Sequence, residues 1–470
     1  MSIVRLPAQR EIRQRVGRTV RRGLTALGLV AMLTATSLGQ GRCYRTCPPA
    51  CPAPCPPGQS AYGVPGGTVY APGQAAPSPQ QAPGATDAAP APSPQPAAPS
   101  DIVSPEMFAA SQSAGFGGSP ASAAPAMIGD FIGSGGYFHP DSYNHSPGGN
   151  NPIAGGDRRF KISENMTPIP TDRVFFSYNH FHNALIVDDP ATDLRRDINF
   201  DRYTFGFEST ALFGGWASLE VRIPFGDGLD SDQIGDPRGE TVFSPTGTEL
   251  GNVVLVAKSY IHRSCCGALT GGVAFVIPTA DDARQLRYDD ATGISTVMRQ
   301  VENDSFHIQP FLGALWTPSN CFFAQAYISA DFDMNGYDVW QRDTAFTNLR
   351  FLGNYDDQDL LHFDLKLGYW MYKNNACTGL ISGIAPTVEL HYTTATQDAD
   401  MVSDGLEPVV FSPLNRYDNL NITGGVHVAL RNQSTFTFYG AFPLEDDEDE
   451  FTGLNSNFDA EVGVQYNCYF

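Results

Sequence analysis

From about residue 172 to the carboxy terminus the chain repeats one pattern: segments of about ten residues in which apolar and polar side chains alternate. A period of two belongs to a strand, whose successive side chains point to opposite faces. In 361–369, Leu361, Phe363, Leu365, Leu367 and Tyr369 share one face, and His362, Asp364, Lys366 and Gly368 share the other. Segment 217–225 sets Leu219, Val221, Ile223 and Phe225 against Ser218, Glu220 and Arg222, and segment 322–333 divides the same way.

Twelve such strands are expected, at about 173–183, 199–210, 215–225, 251–262, 268–278, 305–316, 321–333, 359–372, 381–393, 417–431, 435–444 and 457–470. Alternation alone fits either a soluble sandwich or a membrane barrel; the connections separate them. Links after the even-numbered strands are short (211–214, 263–267, 317–320, 372–380, 432–434), whereas those after odd-numbered strands are long and mostly acidic, including GDGLDSDQIGDPRGE and EDDEDE. Short and long links in strict alternation over an even number of strands predict an all-β fold, a transmembrane antiparallel up-and-down β-barrel. No run reaches the ~18–20 apolar residues of a membrane-spanning helix. The 50 acidic against 29 basic residues and the net charge of −21 argue against a nucleic-acid binder, because a phosphate backbone selects basic surfaces.

The amino-terminal part has a different character. Residues 1–41 read as a secretory signal peptide: an arginine-rich start, an apolar run and small residues at the cut. Residues 42–126 read as a disordered Cys/Pro-rich tether, with 17 prolines between Pro48 and Pro105 and no lysine or arginine from Arg45 to Arg158. Cys43, Cys47, Cys51 and Cys55 are spaced by four; disulfide crosslinking and metal binding both stay open for them. Residues 127–171 form a glycine-rich pre-barrel segment, a plug or an arm, and 172–470 the barrel. Cys265, Cys266, Cys321, Cys377 and Cys468 all lie in or beside short turns or at the chain end, where disulfides could tie neighbouring hairpins.

The last strand, with Val462, Val464, Tyr466 and Phe470 on one face, resembles the final strand of bacterial outer-membrane β-barrels, which is read by the barrel-insertion machinery. Cys468 is a departure from that pattern. Within 211–281, LEVRIPF, ELGNVVLVAKSYI and ALTGGVAFVIPTAD resemble the barrel family named for the MetA pathway of phenol degradation. Gly251, Asn252, Lys258, Tyr260, Pro278 and Thr279 carry that likeness, while Ser259 and Ala280 depart from it. The segment RRFKISENMTPIPTDRVFFSYNHF and the cysteine-proline leader resemble envelope proteins of planctomycete-type bacteria. These resemblances imply an outer-membrane location, with the tether in the periplasm, and uptake of small organic compounds.

With the apolar faces towards lipid, the inward charges are Arg202, Arg222, Lys258 and Lys366 against Glu208, Glu220, Asp331, Asp333, Asp364, Glu389, Asp459 and Glu461. An open lumen with that surplus would favour cations; alternatively, neighbouring charges pair and fill it. The inward histidines 307, 362, 391 and 427 read as hydrogen-bonding filler, a metal or proton role being the rival. No phosphate loop, zinc-protease motif or nucleophile elbow occurs, and the His-Asp-Ser-Asn-Gly motif of outer-membrane phospholipases is absent, so an enzyme is not expected and no cofactor is implied. The expected function is a passive pore or transport-like protein for small solutes. The alternative is a structural anchor joining outer membrane to cell wall through the leader, with no open channel. Divalent cations at the acidic loops are a further expected partner.

Overall fold

The computed structural model describes residues 124–130, 137–138 and 159–470, the last range without 190–193, 228–230, 236–240, 243–246, 265, 290–293, 320, 344–346, 374–378, 399, 407, 412–417, 432 and 445–457. The signal peptide and residues 42–123 of the expected tether, with its four cysteines, lie outside the described residues; its last three residues, Ala124 to Ala126, are not tether but are buried inside the barrel.

Twelve antiparallel strands close into a barrel. They are β1 (Arg173–Asp189), β2 (Leu194–Ser209), β3 (Ala217–Asp227), β4 (Val253–Ser264), β5 (Gly267–Ile277) and β6 (His307–Trp316), then β7 (Phe322–Asp333), β8 (Leu360–Tyr369), β9 (Ile381–Ala395), β10 (Asp418–Leu430), β11 (Ser434–Pro443) and β12 (Ala460–Tyr469). All twelve expected strands are present, and each pairs with its sequence neighbour. Closure is made by β12 on β1, from Arg173 opposite Tyr469 to His182 opposite Ala460. Every barrel strand therefore has two partners, which is what lipid requires of a sheet that cannot hydrogen-bond to water.

Burial is inverted relative to a soluble protein. On β8, His362, Asp364 and Lys366 are buried while Leu361, Phe363, Leu365 and Leu367 are partly exposed. Neighbouring residues on β9 show the extreme, with Val388 at 51% exposure and Glu389 at 0%. The apolar wall is thus the outer one. Rings collect near its rims, among them Phe207 with Phe470 and Trp316 with Phe322 at the short-turn end, and Phe275 with Phe306 at the other. Such aromatic girdles mark the two interfaces of a membrane barrel. Val462, Val464, Tyr466 and Phe470 all lie on this outer wall.

The long connections are more than loops. Strands at Tyr337–Gln341, Arg350–Tyr355, Ile294–Val301, Ala283–Asp289, Asp232–Gly235 and Thr241–Val242 build a six-stranded sheet, and Tyr137–Phe138, Pro408–Phe411 and Met401–Ser403 a three-stranded one. Ala283, Val301, Tyr337, Val339, Tyr355, Val402, Val409 and Val410 form a hydrophobic core of their own. The acidity of these links dominates their sequence and hides that core.

Three cysteines at the short-turn end, Cys266, Cys321 and Cys468, carry free thiols. They are not joined as the sequence reading allowed; Cys265 and Cys377 lie outside the described residues.

Leu365, on the outer face at mid-strand, provides a test of lipid contact. Leu365→Arg should lower stability by roughly 2–4 kcal/mol. Denaturant titration of protein refolded into vesicles measures this, and a neutral result would argue against hydrocarbon at that face.

Candidate functional site: a plugged lumen

The barrel interior is occupied by the chain's own pre-barrel residues, which cross it twice. The first crossing starts near the short turns, where Ala124 packs in a cluster with Leu315, Phe323, Trp370, Ala385 and Ala429. Going inward, Gln325 donates to Pro125 O (2.8 Å), Lys366 Nζ to Ala126 O (2.6 Å) and Gln465 to Ile128 O (2.8 Å). The amides of Ile128 and Gly129 donate to the Glu389 carboxylate at 2.9 and 3.0 Å. Asp130 accepts from Asn421 at 2.7 Å. Further on, Tyr137–Phe138 pairs with Val410 and Phe411 in the long-connection layer.

The second crossing returns the chain to β1. Arg159 lies at the long-connection end, bridging Asp331 (3.0 Å) and Asp357 (3.1 Å). Gln309 donates to Phe160 O at 2.8 Å. Deeper in the lumen Arg202 meets Glu164 at 2.9 Å, and Arg222 donates to the Glu164 carbonyl. Lys258 Nζ donates to Thr167 O at 2.8 Å, and the Thr171 amide donates to Glu208 at 3.1 Å. The two crossings run antiparallel and touch: Met127 N donates to Met166 O at 2.7 Å and Asn165 N to Ile128 O at 3.3 Å.

Three buried ionic groups organise this interior. Across β1–β4, Arg173 bridges Glu208 and Glu220 at 2.9 Å each, Lys258 meets Glu208 at 2.9 Å, and Arg222 pairs with Glu220. Across β8 and β9, Lys161 of the plug contacts Asp130 (2.6 Å) and Asp364 (2.9 Å). In the same group Lys366 meets Glu389 at 3.3 Å, and His391 turns one ring nitrogen to Asp364 (2.8 Å) and the other to Glu389 (3.2 Å). The third group joins Arg159, Asp331 and His307, with His307 at 3.0 Å from Asp331. The ligand atoms of Asp130, Asp364 and His391 lie within 4.8 Å of one another. The Lys161 ammonium stands among them, so the trio suits an internal cation better than a metal.

Ten of the residues named as inward charges are buried in the wall: Arg202, Glu208, Glu220, Arg222, Lys258, Asp331, Asp364, Lys366, Glu389 and Glu461. Two sit elsewhere. Asp333 is half-buried at the long-connection rim, where Ser305 and the amides of Gly336 and Asp357 donate to it. Asp459 is exposed and accepts from Asn183 at 2.6 Å, because β12 begins only at Ala460. Phe458 turns in to pack against Phe181, the two rings tilted by 53°, and breaks the alternation there. The reading of the lumen wall omitted Arg173 and the plug's own charges. A signal for the latter was available: Arg158, Arg159 and Lys161 are the first basic residues after Arg45.

At the long-connection end, Glu302, Asp304 and Asp338 bring ligand atoms within 4.8 Å of one another. Partial burial, and then repulsion from Asp338, hold the Asp304 carboxyl above its ordinary range.

No family model and no curated protein matches the chain. Among solved structures it is similar to an outer-membrane channel from Pseudomonas putida F1, at 10% identity over 65% of this chain and 97% of that one, TM-score 0.40. It is also similar to the β domain of the Bordetella autotransporter BrkA, at 10% identity over 64% and 100%, TM-score 0.36. A third is the Pseudomonas putida toluene transporter TodX, at 8% identity over 74% and 100%, TM-score 0.33. Likeness this distant adds nothing to what the strand pairing already establishes.

Lys161→Met would leave Asp130 and Asp364 buried without their cation, at a cost of about 3–5 kcal/mol. The expected result is a heat-resistant barrel whose plug is cleaved faster by added protease; unchanged cleavage would mean the clasp does not hold the plug. Asp304→Asn removes a charge that folding disfavours. It should raise stability at pH 7, and the gain should disappear below about pH 4, where the unfolded chain also carries the proton. Urea midpoints at the two pH values check the sign.

Proposed function

We propose that this chain is an outer-membrane transport barrel for small solutes, closed in the present state by its own two-pass plug. The observation that carries this reading is the seating of the plug. Hydrogen bonds and ion pairs from wall strands on most of the circumference hold a segment that is covalently continuous with β1 but belongs to no strand of the wall. Each of those polar contacts can be exchanged for water, so the plug can loosen without stranding buried groups. A barrel serving only as an anchor would need its outer wall and could fill its interior with apolar side chains.

The short turns face the periplasm on this reading, because bacterial barrels keep long connections outside. On the same reading the leader with its cysteines would belong to the periplasm, where contact with the cell wall is open to it. Val462, Val464, Tyr466 and Phe470 are the proposed signal to the insertion machinery. The carboxylates of Glu302, Asp304 and Asp338 would attract divalent cations at the outer rim. The family likeness within 211–281 belongs to this proposal too.

Full-length protein in planar bilayers tests it. The native chain should show rare, small openings, and Asp364→Asn combined with Glu389→Gln should raise mean conductance at least several-fold. Folded but silent protein in every variant would leave the envelope anchor as the reading.

A further inference from the structure

The outer end of the plug is held by the layer that the long connections build, and we propose that this layer is its latch: a shift of the layer frees the outer part of the plug, so that the pore is controlled from outside. This rests on the transport reading above and adds to it the element that gates the pore.

The layer is mounted stiffly on one side of the barrel. β5 runs into Ala283–Asp289 through residues 278–282, and Ile294–Val301 runs into β6 through 302–306. β7 passes into Tyr337–Gln341 through 334–336, and Arg350–Tyr355 passes into β8 through 356–359. The Asp333 carboxylate fastens these last two links together, accepting from the amides of Gly336 (2.9 Å) and Asp357 (3.0 Å). Beyond the links, Ala283, Val301, Tyr337 and Tyr355 share one core with Val402, Val409 and Val410 of the three-stranded sheet. A close-packed core shifts as a body instead of deforming locally.

That body touches the plug on both of its crossings. On the outward one, Tyr137–Phe138 adds a strand to it, pairing with Phe411 and Val410, and Val410 belongs to the core. On the return, Arg159 bridges Asp331 of β7 (3.0 Å) and two groups of the link into β8, Asp357 (3.1 Å) and the Gln358 carbonyl (2.6 Å). Two tyrosines of the core reach the same place. The Tyr355 hydroxyl donates to Asp357 at 3.5 Å, and the Tyr337 hydroxyl lies 3.2 Å from His307, whose other ring nitrogen is 3.0 Å from Asp331. The acids that hold Arg159 therefore take their positions from the core of the layer. Displacing it parts Arg159 from them and pulls on the strand at 137–138 in one motion. The inner end of the plug is seated differently, on Gln325, Lys366 and Gln465 of the wall, and can stay in place meanwhile.

Trypsin reads the latch directly. No lysine or arginine lies between Arg45 and Arg158, so cuts in the plug fall at its outer return, where Arg159 and Lys161 are buried while it is seated. In full-length protein in vesicles, two variants loosen the latch: Phe138→Pro puts a proline into the added strand, and Asp357→Asn removes one of the two carboxylates on Arg159. Each should speed cleavage after Arg159 and Lys161 at least several-fold and raise mean conductance in bilayers. Tyr337→Phe, a milder change, should act in the same direction. Gln325→Leu, which loosens the inner end, should leave cleavage at those two sites unchanged. Fragment masses identify the cuts, and heat-modifiable migration on gels verifies folding of each variant. If the Phe138 and Asp357 variants are cut no faster than the native chain, or Gln325→Leu is cut as fast as they are, the layer is not the latch, while transport stands. If they are cut faster and only Asp364→Asn with Glu389→Gln conducts, the layer holds the plug without gating, and the proposal fails. If no folded variant conducts at all, the transport reading falls and the gate with it.

Discussion

Everything in this molecule follows from the seam where β12 closes on β1. An unpaired peptide group in hydrocarbon costs several kcal/mol, so a sheet in lipid must have no free edge. Once the sheet is closed, apolar side chains are free to take the outside and polar ones are driven in. The interior then has to solve the opposite problem, because charged groups such as Arg173, Glu208, Lys366 and Glu389 are buried and each needs a partner.

The wall satisfies part of that need by itself, in the network of Arg173, Glu208, Glu220, Arg222 and Lys258 on four adjacent strands. The plug supplies the rest. Asp331 and Asp364 find their cations in Arg159 and Lys161, and Glu389 finds the amides of Ile128 and Gly129. Its path also limits how it can move. The chain is near the short turns at Ala124, in the long-connection layer at Tyr137–Phe138, and at the short-turn end again where it enters β1. A segment threaded this way cannot be withdrawn like a cork from one end without pulling the intervening residues through the lumen. Loosening in place is the simpler motion.

How much of this could be read from the sequence differs by level. The strands were legible because one face meets lipid and the other does not, which stamps a period of two on the residues; short turns fixed their order. The strands of the long connections were not, since Val402, Val409 and Val410 bury against Tyr337 and Tyr355 across connections far apart in sequence. The wall's inward charges could be named from phase alone, but phase fails where a strand ends, as at Asp459. The plug left the weakest trace. Residues 124–130 and 159–171 show no strand period, because their backbone bonds go to wall side chains such as Gln325, Lys366 and Gln465 and not to a neighbouring strand.

The charge of the lumen shows why pairing matters more than counting. Read from sequence, eight acidic against four basic inward residues suggest a cation-selective wall. In the structure Asp333 and Asp459 fall outside the lumen and Arg173 joins it, leaving five basic and six acidic groups buried on the wall strands. The plug adds Arg159 and Lys161 against Asp130 and Glu164, two of each sign. The interior field is therefore close to balanced, and the cation-favouring wall expected from the sequence is not what the buried groups add up to. Nearly all of the ionic groups are committed to holding the plug or one another, and the inward face of β5 carries no charge at all.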